Sequence, residues 1–419
     1  MDIIYSQAVA TIIALSAVNP ESGLAGVGRN TLMPSYSYER ICNRSLRVRA
    51  PYLSEYLLNA HYESRAWTFQ ESLLSKRCLI FTNTKTYFHC SFGLLDMNES
   101  QVQNNDLSCS AHYTLPNCLL STPATRAGKE RWSHGFPGYA QLVRKYTCRH
   151  LSYSSDALNA FSGLLELFKH RFGGEMICGL PSKFFDVALL WAWEDERLQY
   201  KRNFHFPSWS WAGWIGPVQY LALLDSLPPF SENNLDPCQL KCVIARFQHS
   251  LQTSKREIDR DILEMENPDN NASDILESSI DSVKERTTRD ILEFEALTVN
   301  IDRIREFKLR NHNLSITQGV YGAMISTGHN LEGYEQHCTD LVLLSQFSPP
   351  SSNQGVSKNL ERIYFDSNNF PTENRSFLNI VMIIGWNPER DFAERMGLCV
   401  VHEDIWNQLD PQLKHITLA

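Results

Sequence analysis

The feature that most constrains this chain is a change of hydrophobic period inside "SRAWTFQESLLSKRCLIFTNTKTYFHC", residues 64–90. Up to Leu74 the pattern is helical, and Tyr52–Leu74 is expected to be mostly helix. From Cys78 the period shortens, so Cys78–Phe81 and Thr86–Cys90 read as two strands around the turn "TNTK". Upstream, Ile3–Ala17 reads as a short helix end running into a β-branched strand, which the turn "NPESG" stops. Short helices and strands alternating in this way predict an α/β arrangement for residues 1–130. Residues 96–130, polar and proline-containing, are expected to form a loop.

Two further regions differ in texture. Residues 131–205 are expected to be helical. In "SSDALNAFSGLLELFKHRFGG", Ser155 or Asp156 can cap a helix whose face holds Leu158, Phe161, Leu165 and Phe168, and Gly173-Gly174 stops it. "SKFFDVALLWAW" predicts a second helix capped by Ser182. Residues 206–419 are expected to form a mainly β domain. "PSWSWAGW" alternates, placing Trp209 and Trp211 on one face and Ser208 and Ser210 on the other. Later strand-like runs are "ALTVNI", "GVYGAMIS", "DLVLLSQF", "RIYFD", "LNIVMIIGW" and "MGLCVVH". Between them, Leu251–Glu295 holds 13 acidic and 6 basic residues, nearly the whole net charge of −8. "DILE" begins there at Asp261, Asp274 and Asp290, a spacing too uneven for a solenoid. An acidic, solvated insert at about 251–293 is expected.

Composition excludes several function classes. At 419 residues with 43% apolar side chains the chain can build a real core. Its negative charge, with no basic stripe among the aromatics, argues against nucleic acid. No apolar run reaches about 18 residues, so no membrane-spanning helix is expected. "AVATIIALSA" (Ala8–Ala17) lacks the preceding basic residues and the small residue before the cleavage point that a signal peptide needs. The eleven scattered cysteines read as reduced thiols in a cytoplasmic protein. Cys238 and Cys242 have no second pair at metal spacing, so no metal ligand and no cofactor is assigned.

Four ordered blocks carry a family resemblance: "IYSQAVATIIALSA", "RAWTFQESLLSKRCLIFTNTKTYFHC", "LVRKYTCRHLSYSSDALNAFSGLL" and "FPSWSWAGWIG". Together they resemble the fungal heterokaryon incompatibility (HET) domain proteins, and the closing "LNIVMIIGWNPERDFAERMGLCVVHEDIW" is similar to their C-terminal region. Family members usually carry Arg-Gly-Trp-Thr-Leu-Gln-Glu where this chain has "RAWTFQE", with Ala66 and Phe69 as departures. Their opening Ser-Tyr-Cys-Trp-Gly, Trp-Ile-Asp and Cys-Ile-Asn-Gln blocks have no counterpart here, so the resemblance implies a partial domain, and a truncated inactive remnant is one expectation. It also implies a role in allorecognition and programmed cell death, exercised through protein partners and with neither nucleic acid nor membrane. The HET domain has been likened to the TIR domain, a flavodoxin-like module that in some proteins hydrolyses NAD. The implied fold is therefore a partial TIR/flavodoxin-like α/β unit, a helical segment and a mainly β domain.

TIR enzymes carry Trp-Cys-Leu-x-Glu with a catalytic glutamate, and Trp67 and Glu71 keep that spacing. By this likeness Glu71 is the candidate catalytic carboxylate, with Arg65, Trp67 and Gln70 orienting a substrate; NAD would be substrate rather than cofactor. A carboxylate can stabilise the oxocarbenium-like transition state of glycosidic cleavage. The local pattern offers other readings. "TFQE" (Thr68–Glu71) fits a capping box, and a helix starting near Ser64 would let Glu71 pair with Arg65 or Lys76.

Overall fold

The computed structural model describes residues 2–27, 38–42, 44–47, 51–58, 60–90, 93–97, 130–194, 200–220, 239–244, 246–253, 288–300, 303, 320–325, 339–348, 378–387 and 391–419. The expected strand "RIYFD", most of the 96–130 loop and the middle of the acidic insert lie outside these residues.

The first unit contains α1 (Asp2–Gln7), β1 (Thr11–Ala14), a hairpin of β2 (Tyr38–Ile41) and β3 (Arg44–Arg47), and helices α2 (Leu53–Leu58), α3 (His61–Ser64) and α4 (Trp67–Leu74). It continues into β4 (Arg77–Phe81), β5 (Thr86–Cys90) and β6 (Gly93–Asp96). Strands β1 and β4 run parallel, Ile13 opposite Ile80. A parallel pair needs a crossover, and the three helices supply it. The sheet order is β1-β4-β5-β6, with the last three strands antiparallel. The period-two burial of β4 puts Cys78 and Ile80 in a small core with Ile13, Leu15, Leu53, Leu57 and Tyr87.

Next comes a helical layer of α5 (Glu130–Thr147) and α6 (Ser162–Phe172). Helix α6 ends as expected at Gly173, whose φ of +65° gives the left-handed cap. Its start differs: Ser154–Asp156 and Asn159–Phe161 are separate 3-10 turns, so neither Ser155 nor Asp156 caps it. After the hairpin β7 (Met176–Ile177) and β8 (Leu180–Pro181), the expected "SKFFDVALLWAW" helix shrinks to a 3-10 turn and α7 (Phe185–Ala188). Trp191–Trp193 forms β9, because it finds an antiparallel partner in Val218–Tyr220, and that tertiary pairing outweighs helical spacing. Strands β10 (Lys201–Arg202) and β11 (Trp214–Ile215) pair with each other, and Val218–Tyr220 is β12.

"PSWSWAGW" is a turn and a 3-10 helix instead of the expected strand, and Trp209, Trp211, Ser208 and Ser210 are all buried. Ser210 caps the 3-10 turn by accepting from the Ala212 N–H at 3.0 Å. Gly213 is required by close approach: a Cβ there would lie 2.1 Å from the Pro207 carbonyl.

The remaining strands form one sheet: β13 (Gln239–Cys242), β14 (Phe247–Thr253), β15 (Thr288–Asn300), β16 (Val320–Ile325), β17 (Thr339–Ser348), β18 (Leu378–Trp386), β19 (Ala393–His402) and β20 (Gln412–Leu418). Its order is β13-β17-β18-β19-β20-β15-β14, and an extra β15–β17 pairing closes the path on itself. The outer parts of the acidic block, including the third "DILE", are thus paired strand in β14 and β15. Strands β17, β18 and β19 are covered on both faces. Val342, Leu344, Ile380, Met382, Leu398 and Val400 join the aromatic core of the helical layer. Their alternates Leu341, Leu343, Val381, Ile383, Cys399 and Val401 pack with Ile405, Trp406 and Leu409, in and just after α8 (Glu403–Gln408).

One buried cation joins these layers. Arg395 of β19 is 1% exposed, and its guanidinium stacks 3.9 Å from the Trp191 ring centre. It donates to the Leu189 carbonyl at 2.7 Å and to that of Trp191. Burial lowers its pKa to about 9, so it stays charged at neutral pH. Arg395→Met fills similar volume but strips both carbonyls of their donor. It is expected to cost about 2–4 kcal/mol, read as a lower denaturant midpoint.

Candidate functional site

The geometry around Glu71 starts with how α4 begins. Ala66 at its N-cap has helical backbone angles and makes no side-chain cap. Thr68 sits inside the first turn, where its hydroxyl contacts the carbonyls of Tyr62 at 2.5 Å and Arg65 at 2.8 Å. The Thr68–Glu71 capping box is therefore not formed, and the Glu71 carboxylate is released for other partners.

Its partner is Tyr5 of α1, whose hydroxyl hydrogen-bonds to it. Glu71 is half-buried, and burial raises its pKa, opposed first by that hydrogen bond and then by the Arg65 charge. The effect returns on Tyr5, pushed up to about 12 by burial and then by Glu71. Tyr62 is raised for the same two reasons, burial first. A tyrosine from α1, one from α3 and an arginine before α4 thus surround one carboxylate.

The other sequence-predicted residues divide. Arg65 is exposed and acts on Glu71 through its charge. Trp67, one helical turn before Glu71, packs partly buried against the large core. Gln70 turns inward: it is fully buried, its Oε1 accepts from the Gly163 N–H at 3.2 Å, and its Nε2 has no partner among the described residues. That contact holds Gln70 to the start of α6, away from Glu71. Beside the site, Arg149 pairs with Glu63, donates to the Arg65 carbonyl at 3.2 Å and lies 4.8 Å over the Phe69 ring. A parallel bridge between Arg65 and His150 brings "RAWTFQE" against "LVRKYTCRH", two of the blocks that carry the family resemblance.

Tyr5, Tyr62 and Arg149 were not singled out from the sequence. Tyr5 stands in the first resemblance block, but 66 positions separate it from Glu71 and no spacing rule links them. The described residues His89 and Cys90 are adjacent in β5 and so project to opposite faces. Cys242 neighbours Asp186, and Cys238 lies outside the described residues.

Chemically, a carboxylate with a raised pKa beside a hydroxyl and a cation can hold a proton or stabilise positive charge developing nearby. The raised value also has a stability consequence. The folded state binds this proton more tightly than the unfolded chain, so the contribution is present in acid and lost as pH rises through the folded value. Glu71→Gln is expected to raise the thermal midpoint at neutral pH, with the gain vanishing below the ordinary carboxylate range. Tyr5→Phe removes the hydrogen bond that favours the charged form and is expected to lower the neutral-pH midpoint.

Residues 1–71 match the family model described as heterokaryon incompatibility protein (HET). The match spans α1, β1 and the crossover as far as Glu71, inside α4. No curated protein and no solved structure matches the chain. The structure has mixed helices and strands with a sheet-rich C-terminal region, and no helix among the described residues is long and apolar enough to cross a membrane. The likeness to that family thus lies in the first segment of the chain, the one that ends on Glu71.

Proposed function

We propose that this chain acts in fungal non-self recognition, as a heterokaryon incompatibility protein that signals cell death by assembling with protein partners. The family match over residues 1–71 carries the reading. Assembly draws support from the surface of the same segment. Ile3 and Ile4 on α1, Val9, and Ile12 on β1 are each more than half exposed. Strand β1 ends the first sheet, and its second edge has no partner strand among the described residues. An open edge beside exposed isoleucines is a surface that a partner strand or helix can cover. The partial TIR/flavodoxin-like reading of this segment belongs to the same proposal and rests on the parallel β1–β4 pair with its helical crossover.

A second reading is favoured by the Glu71–Tyr5 contact. Here the chain is an NAD glycohydrolase: the Glu71 carboxylate stabilises the ribosyl cation as nicotinamide leaves, and water completes hydrolysis. Arg65 and Trp67 flank the substrate, while Gln70 keeps α4 rigid against α6.

Inducible expression in a filamentous fungus is expected to arrest growth, and normal growth with soluble protein at confirmed levels overturns the first reading. Purified protein incubated with NAD tests the second. Nicotinamide release that Glu71→Ala abolishes is its expected outcome, while equal turnover by wild type and variant removes Glu71 from the chemistry.

A further inference from the structure

Three side chains with no sequence motif in common meet where the helical layer touches an end of the large sheet. Cys178 is the first residue of the two-residue turn between β7 and β8, with φ +47°, and Gly179 follows at φ +88°. Two positive φ values in succession make a type I′ turn, whose first position ordinarily takes Asn, Asp or Gly. A cysteine there is sterically disfavoured, and Ser210 steadies it by donating its hydroxyl to the Cys178 carbonyl at 2.6 Å. His249 and Asp290 face the turn from β14 and β15. His249 lies opposite Leu292, which makes Asp290 its diagonal neighbour on the same face. One ligand atom from each of Cys178, His249 and Asp290 lies within 4.8 Å of the others.

A thiol, an imidazole and a carboxylate have two common uses together. In an activated nucleophile the imidazole stands between the other two groups, so that it can take the thiol proton. Here the carboxylate is the shared partner: His249 Nε2 is 2.9 Å from Asp290 Oδ1, and the Cys178 thiol also hydrogen-bonds to Asp290. That order does not suit proton relay to the imidazole. One sulfur, one nitrogen and one oxygen converging on a point are instead the donors that a borderline divalent ion accepts. Bonds of about 2.0–2.3 Å to zinc place tetrahedral ligand atoms roughly 3.3–3.8 Å apart, inside the span these atoms already keep.

We propose that Cys178, His249 and Asp290 form a binding site for a zinc-class divalent cation, with the fourth position left to solvent. The site is half-open to water, which gives the ion a path of entry. The Trp209 ring stands edge-on to His249 at 6.1 Å and walls one side. On binding, Cys178 releases its thiol proton to solvent, and thiolate plus carboxylate balance the two charges of the metal. The ion links β14, at one end of the sheet order, to the turn of the helical layer.

The test uses the full chain, stripped with chelator and titrated with Zn2+ against a chromophoric competitor. It is expected to bind one ion per chain, and Co2+ in its place is expected to show tetrahedral visible bands with thiolate-to-metal absorption. His249→Gln and Asp290→Asn, each checked for folding by circular dichroism, are expected to weaken Zn2+ at least about a hundredfold. Cys42→Ser, at an exposed cysteine elsewhere, is expected to leave affinity unchanged. Wild-type binding short of one ion per chain overturns the proposal, as does affinity that survives the substitution in either folded variant.

Discussion

The guanidinium of Arg395 is the contact on which the two larger layers depend. A sheet face and an aromatic helical layer can slide over one another when only oily surfaces meet, because hydrophobic contact has little directional preference. Arg395 supplies direction. Its planar fork fits two carbonyls, Leu189 and Trp191, at the point where α7 gives way to β9. Its own N–H donates to the Ser208 hydroxyl at 2.9 Å, and that hydroxyl in turn contacts the Ala419 carbonyl at 2.6 Å. Two indoles tie "PSWSWAGW" to this connection: that of Trp191 in β9 donates to the Trp209 carbonyl, and that of Trp214 to the Ser208 carbonyl. A buried charge that is stacked and hydrogen-bonded sets the register that apolar packing leaves open.

Helix α4 is the corresponding joint for the first unit. Ala66, Phe69 and Leu73 enter the large core, while the strands beside them close over a separate, smaller one. Phe69 stacks on Phe161 at 6.2 Å, and Arg149 covers its other neighbourhood at 4.8 Å. Successive residues of this short helix therefore have opposite duties. Gln70 is consumed by packing, and Glu71, about 100° further round, is left facing Tyr5. Rigidity on one side and a titratable group on the other is the arrangement that a functional carboxylate needs.

Where pattern and structure agree, local physics was sufficient. The β1 strand, the β4–β5 hairpin around "TNTK", the glycine stop after α6 and the existence of strands β17–β19 all follow from period and turn chemistry. The disagreements come from distant partners. "WAW" leaves its expected helix because Val218–Tyr220 lies alongside it. "WSWAG" abandons alternation because the Pro207 carbonyl crowds Gly213 and Ser210 caps a tight turn. The third "DILE" is strand because β14 and β20 flank it. At the candidate site, the Trp67–Glu71 spacing was readable and Tyr5 was not, since only the crossover brings α1 to α4. Cys178, His249 and Asp290 were invisible for the same reason: they are 71 and 41 positions apart, and the topology alone assembles them.

The Ser208–Arg395 connection bears on how the protein reaches this state. Its hydrogen bonds close loops of 187 to 211 residues. Long loop closures come late in folding and slow it, because chain entropy is lost before the contacts reward it. Until β19 arrives, the Trp191 ring lacks the Arg395 guanidinium that stacks on it. A nascent or heat-stressed chain thus presents an aromatic surface to the cell, with chaperone capture or aggregation competing against the last strands' docking.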